Sequence, residues 1–163
     1  MTAQLNVLSP FTGKPFPLED VKKTKFANGM MGKGIAVIPE EGKLVAPCSG
    51  EVIQVFPTKH AISLQTESGI EILVQIGQDT ERLEGKGFEV HVEEKDKVKG
   101  GDLLISFDLD ALHQKSVPIE SPVVIINANR IDSMNRTTDP TVTAGSSVLL
   151  ELGVKEEDEK QDA

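Results

Sequence analysis

The chain has no tryptophan and no tyrosine, and it contains a single cysteine, Cys48. One cysteine cannot form a disulfide within the chain, and such sparse cysteine use is typical of a reducing compartment. The first residues also lack a basic start followed by an apolar stretch, so they do not predict a signal peptide. We therefore expect a cytoplasmic protein in which Cys48 is a small packed residue.

Long apolar runs and an excess of positive charge are missing as well. No segment approaches the roughly 18–20 apolar residues that a membrane-spanning helix needs, so we expect no membrane insertion. The chain has 17 Lys and Arg against 26 Asp and Glu, a net charge of −9. Nucleic acids are bound through clustered positive charge and aromatic stacking, so the composition argues against a nucleic-acid partner.

Histidine is scarce: the chain has only His60, His91 and His113, and no His-x-His pair. A zinc endopeptidase of a related β fold would need such a pair and a further His or Asp motif, so we predict no metal site. We also expect no cofactor. We expect His91 and His113 to face solvent. A biotin or lipoyl carrier would need a lysine displayed at a tight hairpin, and neither Lys33 nor Lys59 has the required context.

The chain does have many short apolar runs separated by Gly, Pro, Asn and Asp. Several alternate apolar and polar residues, as expected for strands with one packed face. Residues 108–115 predict the only helix, with Asp108 as its N-cap. The predicted fold is all-β: one antiparallel β-sandwich or flattened barrel with short helical turns. The predicted strands span residues 34–38, 50–55, 61–65, 70–74, 88–92, 102–107, 122–126 and 147–151.

Two further patterns bear on domain organisation. Residues 5–14 and 43–52 share one sequence pattern, an apolar strand followed by Pro, two residues and Gly. This repeat indicates a β fold of the duplicated hybrid-motif type. The last residues are mostly acidic with two lysines, and they have no apolar side chain to bury after Val154. We therefore predict a β domain over residues 1–152 and a disordered acidic tail over residues 153–163.

Several sequence blocks occur together in one order along the chain. The blocks are FANGMMGKGIA (26–36), LVAP (44–47) with SG (49–50), FPTKHAI (56–62), GIEILVQIGQDT (69–80), LEGKGF (83–88), VKGGD (98–102) and TVTAG (141–145). With these blocks in this order, the chain resembles the glucose-type enzyme IIA domain of the bacterial phosphoenolpyruvate:sugar phosphotransferase system over roughly residues 5–152.

The resemblance implies a phosphoryl-transfer site with one anomaly. In that family the second of the two site segments reads apolar-His-apolar-Gly, and its histidine carries the phosphoryl group; here that position is Gln75. His60 matches the supporting histidine, and Thr58 matches a threonine of its hydrogen-bond network. An amide does not titrate and its nitrogen lone pair is delocalised, so we expect transfer through residue 75 to be absent.

The resemblance also implies partners: HPr and the IIB domain of a membrane sugar permease. The residues implied to bind them are Phe26, Met30, Met31, Phe56, Leu73, Asp79 and Glu81. Lys22, Lys23, Lys33, Gln78 and Glu81 depart from the family's usual residues. Of these, Lys23 and Lys33 would oppose docking of the basic rim of HPr, and Glu81 would repel a phosphoryl group.

Two hypotheses stay open. One is an enzyme IIA component that is impaired in phosphotransfer. The other is a non-catalytic regulatory protein that uses the altered face of the same scaffold to bind a different partner.

Overall fold

A computed structural model describes residues 2–21, 32–78, 80–116 and 118–155. Thirteen strands and one short α-helix, α1 (Leu109–Gln114), make up most of this part of the chain. The strands are β1 (Thr2–Leu8), β2 (Gly13–Phe16), β3 (Lys33–Pro39), β4 (Lys43–Val45), β5 (Gly50–Val55), β6 (Ala61–Gln65), β7 (Glu71–Gln75), β8 (Phe88–Val90), β9 (Lys97–Val98), β10 (Leu103–Phe107), β11 (Ser121–Ile125), β12 (Ile131–Arg136) and β13 (Val148–Lys155). Single turns of 3-10 helix occupy Leu18–Asp20, Thr80–Leu83 and Ala128–Arg130.

The strands form three antiparallel sheets. The largest has the order β2-β3-β11-β7-β6-β5-β9, and the two smaller ones have the orders β1-β13-β12 and β4-β10-β8. The prediction of an all-β antiparallel fold is thus confirmed, and so is the helix, which Asp108 caps through its Oδ1 atom, 3.0 Å from the Ala111 amide. Within the described residues, no helix is long and apolar enough to cross a membrane.

Alternation along the central strands divides their side chains between two apolar clusters. On β11, Val123 and Ile125 enter the main core, whereas Val124 between them belongs to a separate small cluster on the other face. All five residues of β11 are buried, because both faces of this strand are covered. The candidate site lies over the small cluster.

Three strands were not predicted because their sequences show only weak strand patterns. β2 contains Pro15, which a sheet tolerates at an edge, and β2 is an edge strand. β12 is mostly polar and lies at another edge, and β9 has only two residues. β13 also extends to Lys155, which pairs with Thr2, so residues 153–155 of the predicted tail lie in a strand. The rest of that tail is outside the described residues.

Candidate functional site

His60 lies at the end of the β5–β6 connection, directly before β6. The preceding Lys59 has a positive φ of 62°, a sharp backbone turn that brings the chain into the strand. The Thr58 hydroxyl lies 2.5 Å from His60 Nδ1, and the Phe56 ring meets the imidazole edge-on at 5.7 Å. With 6% of its surface exposed, the imidazole is held by neighbours on both sides. Thr58 and His60 are therefore in direct contact.

Gln75 is the last residue of β7 and lies beside His60 in the sheet. Its register partner across the β6–β7 pair is Ala61, and the amide of Ile76 donates to the His60 carbonyl at 2.8 Å. The half-buried Gln75 side chain donates from Nε2 to the carbonyl of Gly77 at 3.0 Å. The β6–β7 hydrogen bonds thus make residues 60 and 75 neighbours although they are far apart along the chain.

The loop after Gln75 is hydrogen-bonded to the start of β11 and packs closely against the segment before it. Gly77, at a φ of 69°, donates its amide to the Ser121 hydroxyl at 2.9 Å. A Cβ at Gly77 would lie 2.8 Å from the Pro118 carbonyl, so the close approach of the two segments requires glycine. The hydroxyl of Thr80 donates to the Ile76 carbonyl at 2.6 Å. These bonds position the end of β7 and hence Gln75.

Gln78 is buried in this loop, with 6% of its surface exposed. Its Nε2 atom donates to the Glu120 carbonyl and its backbone amide to the Pro118 carbonyl, both at 2.9 Å. The side chain thus satisfies a backbone group between two segments, which is a packing role. Gln78 does not contribute to an exposed face.

Lys33 does not share a face of the sheet with Gln75. Paired residues of adjacent strands point to the same side, and Lys33 is in the row of Ile125 and Ile72, which pack in the main core. Gln75 follows Leu73 by two residues and therefore shares the opposite face with it. Lys33 is exposed at the start of β3.

The small cluster under the site is formed by Leu18, Ala61, Leu73 and Val124, with Phe56 packed against it. Leu73 is only 5% exposed, so it packs beneath the candidate site, whereas Phe56 is half-buried at the side of the site. Phe26, Met30, Met31 and Asp79 lie outside the described residues, as do Lys22 and Lys23. Glu81 lies within the 3-10 helix Thr80–Leu83.

Among the described residues, the polar groups at the centre of the site are the His60 imidazole, the Thr58 hydroxyl and the Gln75 carboxamide. Among the residues described, no group of three or more His, Cys, Asp or Glu could hold a metal ion. His91 and His113 are exposed elsewhere, and His91 Nε2 lies 2.8 Å from the Ser106 hydroxyl.

Ser121 was not predicted from the sequence, yet in the structure it holds the loop that follows Gln75. Its hydroxyl accepts from Gly77 and donates to the Ile119 carbonyl at 2.8 Å, and the residue is fully buried. A serine that begins an otherwise apolar strand is the signal that could have found it.

Comparison with known proteins places this geometry in context. Residues 5–131 match the family model of the phosphoenolpyruvate-dependent sugar phosphotransferase system, EIIA 1. A protein named "PTS system glucose-specific EIIA component" from Bacillus anthracis is 41% identical over 154 residues, which cover 94% of this chain and 93% of the relative. A protein of the same name from Oceanobacillus iheyensis is 42% identical over 91% of this chain and 90% of its own length.

A solved structure has the same fold. The glucose permease IIA from Mycoplasma capricolum superimposes with a TM-score of 0.85 and 36% identity, over 91% of this chain and 96% of that one. The similarity therefore extends over nearly the whole chain, the β6–β7 pair with residues 60 and 75 included.

Proposed function

This chain belongs to the EIIA 1 family of the phosphoenolpyruvate-dependent sugar phosphotransferase system, and from that premise we propose that it is an enzyme IIA component that docks onto the system's proteins without carrying a phosphoryl group at residue 75. The observation that carries the proposal is the position of Gln75, at the end of β7 and beside His60. By the resemblance, that is where the phosphoacceptor histidine would stand.

The chemistry of the carboxamide argues against transfer. A histidine phosphoacceptor attacks with the lone pair of an imidazole nitrogen, whereas the amide nitrogen lone pair of Gln75 is delocalised. Its Nε2 atom already donates to Gly77, so the side chain is held as a hydrogen-bond donor. Loss of a catalytic nucleophile can cost on the order of a millionfold in turnover, so we expect no measurable transfer.

We propose that His60 supports residue 75 and does not itself accept the phosphoryl group. Its Nδ1 atom is engaged by Thr58, its ring contacts Phe56, and the imidazole is almost fully buried. A phospho-donor protein would need to bring its phosphoryl group to a ring nitrogen that is largely shielded from solvent. We therefore expect His60 to stay unphosphorylated in the native chain.

The docking part of the proposal depends on the apolar surface around the site. The cluster of Leu18, Ala61, Leu73 and Val124 is packed under it, and Phe56 lies half-exposed beside His60. A protein-binding face usually combines an apolar centre with a polar, solvent-accessible rim. We infer that HPr and a sugar permease bind here; because the relatives are named glucose-specific, a glucose-type permease is the first to test.

The alternative of a remodelled face that recruits another regulator receives less support. It depended on several altered residues sharing one exposed surface with Gln75. Gln78 is buried and Lys33 is on the opposite face of the sheet, so neither contributes to such a surface. We keep the phosphotransferase-system partners as the proposed ones.

The test is reconstitution with phosphoenolpyruvate, enzyme I and HPr, followed by intact mass spectrometry at alkaline pH, where phosphohistidine survives. We expect no added phosphate on the native chain and restored labelling in Gln75→His. Gln65→His is the matched control, since Gln65 is exposed at the far end of β6 and should stay unlabelled.

Binding of unphosphorylated HPr to the native chain, measured by calorimetry, tests docking separately. Stoichiometric phosphate on His60 of the native chain would overturn the non-carrier proposal. Failure of HPr to bind the native chain would overturn the docking proposal.

A further inference from the structure

The 3-10 turn Leu18–Asp20 lies at the small apolar cluster under the candidate site. Leu18 is 5% exposed and packs in the small cluster with Leu73 and Val124. Backbone hydrogen bonds within the turn run from Asp20 to the Pro17 carbonyl at 3.0 Å and from Val21 to the Leu18 carbonyl at 3.1 Å. Because hydrogen bonds of 3-10 geometry are poorer than those of an α-helix, a side-chain contact adds to the stability of such a turn.

Such a contact comes from the other end of the chain. Arg136, the last residue of β12, holds the Glu19 carboxylate with both terminal nitrogens, Nη1 to Oε1 at 2.8 Å and Nη2 to Oε2 at 3.0 Å. Nη1 also lies 3.5 Å from the Gly34 carbonyl on β3. One guanidinium thus joins the turn, β12 and the sheet that carries Gln75.

The hydrogen bonds of this pair keep both groups ionised. Hydrogen bonds from Arg136 lower the pKa of Glu19 to about 2, and the same contact raises the pKa of Arg136. Both groups are therefore ionised at any pH at which the protein would be studied. The bidentate contact between the planar guanidinium and carboxylate groups also restricts their relative orientation, whereas a lysine ammonium would make a single contact without this restriction.

We propose that Arg136 is a positioning residue that fixes the Leu18–Asp20 turn, and with it Leu18, under the surface that docks HPr. The inference rests on the proposed function for the identity of the partner. The contact itself joins residues 117 positions apart. Arg136 is about 38% exposed and Glu19 about 55%, so a moderate effect is expected.

The experiment compares four variants with the native chain. Arg136→Met keeps the alkyl stem and removes the donors, and Glu19→Gln removes the charge of the acceptor. The double variant Glu19→Arg, Arg136→Glu reverses the pair. Lys97→Gln is the matched control, since Lys97 forms an ion pair with Glu51 at 2.8 Å at the opposite edge of the sheet.

The first readout is amide hydrogen exchange at Asp20 and Val21, which does not require HPr. We expect exchange about threefold faster in Arg136→Met and Glu19→Gln, native rates in Lys97→Gln, and recovery in the reversed pair. Unchanged exchange in both single variants would overturn the inference.

The second readout is the affinity for HPr by calorimetry. Arg136→Met and Glu19→Gln change the net charge in opposite directions, so a long-range charge effect would move their affinities in opposite directions. Lost positioning weakens both, by about threefold, and the reversed pair recovers. Opposite shifts would overturn the inference. If the native chain does not bind HPr, the proposed function fails, and the exchange rates still decide the role of Arg136.

Discussion

Burial decides the role of individual polar residues that look alike in the sequence. Gln75 is half-buried beside His60 and holds the Gly77 carbonyl, whereas Gln78, three residues later, is buried and holds the Glu120 carbonyl. Gln65 on the neighbouring strand is exposed. Cys48 is 6% exposed, and desolvation raises the pKa of its thiol to about 11. Each residue's chemistry follows from its surroundings.

The buried thiol predicts a loss of stability at alkaline pH. The folded-state pKa of Cys48 lies above the usual value of 9.0, so the stabilisation is complete below pH 9 and is lost as pH rises through 11. A shift of this size corresponds to about 2 to 3 kcal/mol of unfolding free energy. Urea denaturation from pH 8 to pH 11 measures it.

Cys48→Ala provides the control for this prediction. Cys48 is the only cysteine and the substitution removes no other titratable group, so the difference in slope between the two proteins isolates the thiol. Equal slopes between pH 9 and pH 11 would refute a role for Cys48 in the alkaline loss of stability.

Individual elements follow simple local rules where their signals are strong. β6 and β7 alternate between the main core and the small cluster, and α1 begins at its predicted N-cap. Edge strands obey weaker rules: β2 accommodates a proline, and β12 is mostly polar yet supplies Arg136. The elements near the site therefore owe their position to packing across the sheets as well as to local preference.

The helix cap allows a matched comparison. Asp108 accepts a hydrogen bond from the Ala111 amide, whereas Asp110, in the first turn of α1, does not cap. Asp108→Ala should lower the unfolding free energy by about 1 kcal/mol, and Asp110→Ala, with the same change in charge, by clearly less. Chemical denaturation measures both, and equal losses would contradict a capping role.

At the scale of the whole molecule, the two ends of the described chain are joined. β1 and β13 pair from Thr2 with Lys155 to Leu8 with Val148, and Val7, Leu150 and Leu152 from these strands are buried in the main core. The same architecture in the Mycoplasma capricolum structure, at 36% identity, indicates that the fold tolerates extensive sequence change.

The pairing of β1 with β13 predicts very different effects for truncations at the two ends of the chain. Removal of residues 2–8 should lower the unfolding free energy by about 3 kcal/mol or more, because it removes Val7 and uncovers Leu150 and Leu152. Removal of residues 156–163, the rest of the acidic tail, should change it by less than about 0.5 kcal/mol. Thermal and urea unfolding measure both, and a large loss in the second case would contradict a solvated tail.

The sequence by itself determined the all-β class, the cap of α1 and the central strands, because these depend on alternation and local hydrogen bonding. Membership of the enzyme IIA family was readable from residue blocks in order along the chain. Only the tertiary structure decided that Gln78 is buried, that Lys33 is on the opposite face from Gln75, that Ser121 supports Gly77 and that Arg136 holds Glu19. These features depend on strand register and on contacts between distant segments, which no local pattern encodes.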